Sequence, residues 1–180
     1  MGEKYQNKYQ NESARLSNWD YGADGAYFVT ICTKNREPYF GEILNTDRIE
    51  LSEIGKYVHK CWHDIPLHFP FVQLDEFIVM PDHVHGILFI NKQNINCITV
   101  GTQYVASLQQ QQQNKFGPQS QNLASIIRGF KIGITKYARI NKMKFYWQSR
   151  YYDHIIRNDF ELERIRKYIM ENPSHWSGDI

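Results

Sequence analysis

The apolar residues of the chain recur with two periods, and four segments have the composition of β-strands. Residues 27–33 are dense in β-branched and aromatic side chains, which predicts a first strand. The apolar runs 74–80 and 83–90 are separated only by a Pro-Asp dipeptide, so they predict an antiparallel hairpin. Residues 151–157 predict a last strand.

Apolar residues at helical spacing predict two helices between these strands. The first begins at Ser52, whose side chain suits an N-cap, and runs for about three turns to a break near Pro66. The second covers about residues 123–140, where apolar side chains line one face.

A third helix is predicted near the end of the chain, beginning at Asn158 or Asp159. Glu161 stands three residues after Asn158, the spacing of a capping box. Pro173 disfavours helical backbone at Asn172, so we expect the helix to close there.

The elements follow in the order strand, helix, strand, strand, helix, strand, helix. This order predicts an α+β fold, a ferredoxin-like split βαβ sandwich with an antiparallel sheet and an additional C-terminal helix. A length of 180 residues suits one domain, so residues 1–180 are expected to form a single unit. Residues 1–24 are a polar lead-in, and residues 101–121, with a run of five glutamines, predict a surface loop.

Composition narrows the class of protein without identifying it. Hydrophobic residues make up 42% and aromatic residues 14%, as in ordinary globular proteins, and a net charge of +2 is compatible with nucleic acid without demanding it. The three cysteines form no CxxC pair, which argues against a disulfide framework and a thiolate zinc site. No apolar run is long enough to span a membrane, so we expect a soluble, cytoplasmic protein.

Two histidines on the predicted hairpin are the first candidates for chemistry. His83 and His85 are two apart on a strand, so both project from one face and can share a cation. Asp82 is a candidate to orient them, and Gly86 is expected to permit close approach of a ligand or a backbone. An isolated pair of this kind more often decorates a strand than binds a metal.

The last predicted helix carries the second candidate group. Tyr168 and Asn172 are four apart and therefore share a face. Over a sheet that bears two histidines, they would supply a nucleophile and a third neutral ligand. A phenol has an ordinary pKa of about 10, so a nearby cation would have to activate it. Alone, Tyr168 fits a tyrosine of the apolar core better than a nucleophile, and the chain has twelve tyrosines.

One side of the second helix carries basic residues at helical spacing. Arg128, Lys131, Arg139 and then Lys142 are candidates to contact DNA phosphates. A helix face exposed only to water has the same composition, so the pattern leaves both interpretations open.

Four blocks of the sequence resemble one family. Residues 81–86 (PDHVHG) resemble the His-hydrophobic-His motif of the HUH nucleases. Residues 147–158 and 168–173 are similar to the C-terminal blocks of the single-tyrosine transposases, and residues 27–36 to the opening strand of their REP-associated branch. The resemblance runs from about residue 15 to residue 176, and the glutamine-rich loop interrupts it.

The resemblance implies a reaction and assigns residues to it. In that family, a tyrosine attacks a phosphodiester of single-stranded DNA, forms a 5′-phosphotyrosine link and releases a 3′-hydroxyl. The matching tyrosine is Tyr168, and the matching metal ligands are His83, His85 and Asn172. The implied ion is Mg²⁺ or Mn²⁺, and the implied partner is single-stranded DNA folded as a hairpin or an imperfect palindrome. Relatives act as monomers or as homodimers, and the sequence leaves that choice open.

Two other functions are compatible with the same residues. A metal-dependent phosphohydrolase would use water as the nucleophile instead of Tyr168. A catalytically silent module on the same sheet would bind single-stranded nucleic acid without cleaving it.

Overall fold

The computed structural model describes residues 19–45, 48–92 and 120–176. One sheet contains four strands: β1 (Gly25–Cys32), β4 (Val72–Val79), β5 (His83–Ile90) and β6 (Tyr152–Ile156). Their order across the sheet is β4-β5-β1-β6, and every neighbouring pair is antiparallel. Two shorter strands, β2 (Gly41–Asn45) and β3 (Arg48–Leu51), form a separate hairpin.

The helices cover both faces of the four-stranded sheet. They are α1 (Glu53–His63), α2 (Ile65–His68), α3 (Leu123–Ile140) and α4 (Asp159–Glu171). On one face, α1 and α3 bury the main core, in which Trp62 and Phe130 pack together. On the other face, Ile165 and Ile169 of α4 pack on a smaller apolar cluster. The sheet order and the two helices on one face confirm the predicted α+β fold with its additional C-terminal helix.

The predicted hairpin and helix ends agree closely with the structure. The β4–β5 hairpin and the range of α3 are confirmed. Ser52 caps α1, since its hydroxyl accepts a hydrogen bond from the Gly55 N–H at 3.1 Å. The break expected at Pro66 separates α1 from the short helix α2, where proline occupies the first turn.

Two details of the last helix differ from the prediction. Asn158 caps α4 by accepting from the Glu161 N–H at 2.9 Å, but the Glu161 carboxylate accepts from the N–H of Arg157 and not from that of Asn158. The reciprocal capping box was therefore wrong. Asn172 keeps helical backbone angles (φ −56°, ψ −39°), and the chain continues as a 3-10 turn, Asn172–His175. Pro173 fits the start of that turn, so it does not force Asn172 out of helical geometry.

The β2–β3 hairpin was not predicted from the sequence. Its strands alternate between half-buried and exposed positions and carry charged side chains, so they lack the dense apolar pattern of the central strands.

Most of the polar lead-in and of the glutamine-rich segment, residues 1–18 and 101–119, lies outside the described residues. Within the described ranges, no helix is long and apolar enough to span a bilayer.

Candidate active site

The two histidines of β5 face α4 and are almost completely buried. His83 and His85 are each 4% exposed, and their Nε2 atoms lie 2.9 Å apart. Both side chains project from the α4 face because they alternate with Val84, which belongs to the main core. Strand alternation thus brings the two imidazoles together, as the sequence predicts.

A carboxylate fixes the orientation of the first imidazole. Asp82, 2% exposed, has its Oδ1 at 2.5 Å from His83 Nδ1 and its Oδ2 at 2.6 Å from Arg36 Nε. A carboxylate can only accept, so Nδ1 of His83 carries the proton. The other ring nitrogen of His83, Nε2, faces His85. This is the position in which the sequence predicts an orienting group.

A hydroxyl orients the second imidazole. His85 Nδ1 lies 2.8 Å from Thr30 Oγ1, and the ring stacks on Phe28 with centroids 5.4 Å apart. Burial, together with the nearby His83 and Arg36, lowers the pKa of His85 from 6.5 to about 3. His85 is therefore a neutral imidazole at neutral pH, the form that coordinates metals.

The spacing of the pair fits two adjacent ligands of one cation. In an octahedral site with bonds of about 2.0–2.1 Å, adjacent ligand atoms are separated by about 2.9 Å. The two Nε2 atoms are 2.9 Å apart, and both can present a lone pair when Thr30 accepts from His85 Nδ1–H. Within residues 19–45, 48–92 and 120–176, no group of three His, Cys, Asp or Glu side chains could hold a metal. Asn172, whose side chain carries an amide oxygen, lines the same cleft as the two histidines.

The tyrosine helix brings one hydroxyl to the histidine pair. Tyr168 Oη lies 3.4 Å from His85 Nε2, and its ring meets Phe28 edge-on at a centroid distance of 6.1 Å. The side chain is 49% exposed, so Tyr168 is not a core tyrosine. The anchors of the helix are instead its buried neighbours, Ile165 and Ile169.

A cleft of about 570 Å³ contains all four predicted residues of the reaction centre. His83 and His85 form its floor with Thr30, while Tyr168 and Asn172 line it from the helix side. The structure thus brings together residues that are up to 89 positions apart in the sequence, the separation of His83 and Asn172.

Other lining residues were missed at the level of sequence. They are Phe28, Thr30, Arg36, Tyr152, His175 and Trp176. Thr30 could have been predicted from the pairing of β1 with β5, because it lies directly opposite His85 in that register. No comparable signal existed for Arg36, which reaches Asp82 from a turn where its backbone is left-handed (φ 57°).

Gly86 has a different role from the one expected. A Cβ at this position would overlap the indole of Trp62 on the opposite face of the sheet. The missing side chain therefore makes room for a core tryptophan, and the prediction of close approach by a ligand or a backbone was wrong.

Three of the four predicted basic residues lie on α3, on the face of the sheet opposite the histidines. Arg128, Lys131 and Arg139 line a cleft of about 1000 Å³ that also includes Trp147 and Tyr151. Lys142 follows the helix and is not among the residues that line this cleft. The structure therefore separates the basic cleft from the reaction centre.

Within the basic cleft, Lys131 is held in place by the segment after α3. Its Nζ donates to the Gln148 carbonyl at 2.6 Å and lies 5.5 Å from the centre of the Trp147 ring. Burial lowers the pKa of Lys131.

Comparison with known proteins gives relatives and a fold neighbour. No family model matches the chain. An uncharacterized protein of Haemophilus influenzae (strain Rd) is 41% identical over 172 residues, covering 95% of this chain and 92% of the relative. A second protein of that organism, provisionally named a REP-associated tyrosine transposase, is 26% identical over 165 residues, covering 88% of this chain and 76% of the relative.

Among solved structures, the chain is similar to a REP-associated tyrosine transposase bound to a REP hairpin. The TM-score is 0.54 at 19% identity, over 91% of this chain and 73% of the other, which shows a shared fold. The motif blocks, their order along the chain, the fold and the named relative all agree. The chain is therefore similar in sequence to a protein provisionally named a REP-associated tyrosine transposase, and it shares its fold with a transposase of that kind.

Proposed function

We propose that this chain is a metal-dependent enzyme that nicks single-stranded DNA and transfers the strand through a 5′-phosphotyrosine intermediate. One observation carries the proposal: the Tyr168 hydroxyl lies 3.4 Å from His85 Nε2, which in turn lies 2.9 Å from His83 Nε2. A half-exposed tyrosine hydroxyl beside two oriented imidazoles is an arrangement that supports such a reaction.

In this proposal, His83, His85 and Asn172 hold one Mg²⁺ or Mn²⁺ ion. When bound, the ion supplies electrophilic stabilisation for a phosphodiester and lowers the pKa of an adjacent hydroxyl. The role of Asp82 is to keep the proton of His83 on Nδ1 through its 2.5 Å contact, and Thr30 does the same for His85. The Arg36 guanidinium, 42% exposed, adds positive charge beside the cleft that receives the phosphate.

The covalent step balances within the chain and its substrate. Tyr168 Oη attacks the phosphorus atom, and the phenolic proton passes to the water that reaches the half-exposed side chain. The bond between phosphorus and the 3′-oxygen breaks, and that oxygen leaves and takes up a proton. The link to Tyr168 keeps the phosphodiester character of the bond, so attack by another 3′-hydroxyl rejoins the DNA without ATP.

The proposed substrate is single-stranded DNA that folds into a hairpin or an imperfect palindrome. The support is the fold neighbour, which was solved with a REP hairpin. The basic cleft of α3 is the proposed phosphate-binding surface, with Arg128, Lys131 and Arg139 as its cations and Lys142 beyond the helix end. We take the whole chain as one catalytic domain that acts in the cytoplasm as a monomer or a homodimer.

The proposal is tested by incubating the full chain with hairpin-bearing single-stranded DNA and Mn²⁺, followed by a denaturing gel. The pool of DNA carries randomised nucleotides beside the stem, so that no target sequence has to be known. A covalent adduct that forms with the wild type and is lost in Tyr168→Phe supports the tyrosine mechanism. The matched control is Tyr146→Phe, because Tyr146 is similarly exposed but lies outside the cleft.

The two other functions give different results in the same assay. Cleavage that survives in Tyr168→Phe would identify a phosphohydrolase that uses water. Binding without cleavage in the wild type, over the whole pool and with either metal ion, would identify a silent nucleic-acid-binding module.

A further inference from the structure

A second, smaller cavity lies beside Tyr168. It has a volume of about 300 Å³ and is lined by Phe28, Tyr152, His154, Arg164, Ile165 and Tyr168. Phe28, Tyr152 and Tyr168 also line the cleft of the histidine pair, so the two spaces adjoin along these three rings. The proposed reaction uses only the first space.

The walls shared by the two cavities are aromatic and accessible. Tyr152 is 56% exposed and Tyr168 is 49% exposed. Both rings stand edge-on to the buried Phe28, at centroid distances of 6.3 Å and 6.1 Å. Phe28 thus supports two tyrosines that are each about half exposed, and exposed aromatic rings are platforms on which unpaired bases stack.

The remaining walls supply charge and hydrogen-bonding groups. Glu161 accepts from the Arg157 N–H at 2.9 Å, and its other oxygen lies 2.8 Å from His154 Nε2. Among the described residues, His154 Nδ1 has no hydrogen-bond partner, so it remains available to a ligand. Arg164 is 68% exposed at the same cavity and favours an anion nearby.

We propose that this cavity binds the nucleobase next to the phosphodiester that Tyr168 attacks, and that it sets the sequence preference at that position. Tyr152 stacks on the base, His154 contacts its edge, and Arg164 attracts the neighbouring phosphate. The inference rests on the proposed function, because the position of the base is defined relative to the bond that Tyr168 breaks.

The smaller cavity is continuous with the cleft of the histidine pair, and this continuity favours a nucleobase over another planar ligand. A phosphate held over His83 and His85 has a nucleoside on each side. The cavity beyond Tyr168 is the neighbouring space with aromatic walls, and its volume of about 300 Å³ is large enough for one base. Stacking on Tyr152 and an edge contact with His154 both favour a base that has left its pairing partner.

The test uses the hairpin pool with randomised nucleotides beside the stem, Mn²⁺ and the full chain. Covalent adducts are isolated and the DNA at the junction is sequenced for the wild type, Tyr152→Ala, Tyr152→Phe and His154→Ala. We expect a preference at one nucleotide adjoining the junction that is lost in Tyr152→Ala and kept in Tyr152→Phe. His154→Ala is expected to change which base is preferred. An unchanged preference in Tyr152→Ala would overturn the proposal.

A binding experiment separates this inference from the proposed reaction. The same pool is enriched for binding by Tyr168→Phe, with and without Tyr152→Ala, and the bound sequences are compared. We expect Tyr152→Ala to weaken binding of the enriched sequence by about 5- to 150-fold, the range for loss of one stacked base. Tyr146→Ala, at a residue that is also 56% exposed but lies outside both cavities, should leave binding unchanged.

The combined outcomes are distinct. If the wild type forms no adduct but enrichment still depends on Tyr152, strand transfer and the position of the base beside a broken bond both fail, and base binding at Tyr152 stands. If adducts form and neither the junction sequence nor the enrichment depends on Tyr152, the base site fails and strand transfer stands. Absence of both effects overturns both proposals.

Discussion

Arg166 on α4 binds the carboxylate of Asp75 on β4 through two nitrogen atoms. Its Nε lies 3.2 Å from Oδ1 and 3.1 Å from Oδ2, and its Nη2 lies 2.5 Å from Oδ2. Arg166 also pairs with Glu163 on its own helix. Since Tyr168 is two residues further along α4, this ion pair and the apolar contacts of Ile165 and Ile169 together fix Tyr168 over the sheet.

Replacing Arg166 by Gln should slow adduct formation without abolishing DNA binding. The loss of the ion pair to Asp75 lets α4 shift, and a displacement of about 1 Å at a reacting group costs up to about 100-fold in rate. The measurement is the single-turnover rate of adduct formation together with the Kd for DNA. Lys167→Gln is the control, because Lys167 is 70% exposed and pairs only with Glu171 on its own helix. Equal rates for the two variants would contradict the positioning role.

Replacing Asp82 by Asn should weaken binding of Mn²⁺ by about 10- to 100-fold, the range for loss of a group that orients a metal-bound histidine. The Asn side chain can still accept from His83 Nδ1 but no longer carries the charge that makes His83 a stronger ligand. Calorimetric titration of the metal into the DNA-free protein measures the effect. Asp64→Asn is a control on the opposite side of the sheet, where Asp64 pairs with Lys60. An unchanged affinity would show that Asp82 has no influence on the metal.

The stability of the metal-free protein should fall as the pH drops below about 6.5. Burial lowers the pKa of His85 to about 3 in the folded chain, from 6.5. Between these two values the unfolded chain binds a proton that the folded chain does not, so the free energy of unfolding rises with pH. His85 contributes up to about 1.4 kcal/mol per pH unit in this window.

Urea unfolding in the presence of a chelator, from pH 7.5 to pH 4.5, measures this dependence for the wild type and for His85→Gln. The variant should show a shallower decline, because Gln does not titrate. Parallel curves for the two proteins would rule out a buried neutral His85 in the folded state.

The double variant Arg128→Gln/Arg139→Gln should weaken DNA binding and reduce its salt dependence. Each cation that contacts a phosphate releases about one counterion, so the slope of log K against log salt should decrease by about 2. Lys60→Gln is the control, since Lys60 is 67% exposed on α1 and lies outside the basic cleft. A slope equal to that of the wild type would show that the cleft does not contact the backbone of the DNA.

Replacing Gly86 by Ala should destabilise the fold, because the added methyl group overlaps the buried Trp62 ring. Overpacking of this kind typically costs about 1–3 kcal/mol, which thermal unfolding measures. Gly133→Ala gives a matched control, since a Cβ there meets nothing within 4 Å. In a helix interior that change should instead stabilise, by up to about 1 kcal/mol. A stable Gly86→Ala variant would mean that α1 can move away from the sheet.

Much of the fold could be predicted from the sequence, because apolar residues recur at regular spacings in the central strands and helices. His83–Ile90 and Leu123–Ile140 were predicted with their observed limits, since a buried strand and an amphipathic helix differ in the spacing of apolar residues. The β2–β3 hairpin escaped prediction because its residues are partly exposed and charged, and pairing between its two strands is what stabilises it.

The candidate site was predictable where it depends on spacing and unpredictable where it depends on contacts between distant elements. The alternation of β5 predicts that His83 and His85 share a face. The same alternation puts Gly86 on the opposite face, but only the position of Trp62 on α1 explains why a glycine is needed. The position of Arg36 depends on a left-handed turn after β1, and no sequence pattern predicts that turn.

Tyr151 lines the basic cleft, and the next residue, Tyr152, lines the cleft of the histidine pair. The side chains of these adjacent residues therefore lie on opposite faces of the sheet, at its β6 edge. A nucleic acid that occupied both clefts would have to turn around this edge. Duplex DNA is stiff over about 150 base pairs, whereas an unpaired strand bends at every nucleotide. A stiff duplex therefore cannot occupy both clefts at once, whereas a flexible single strand can. A hairpin can do so only if an unpaired segment makes the turn.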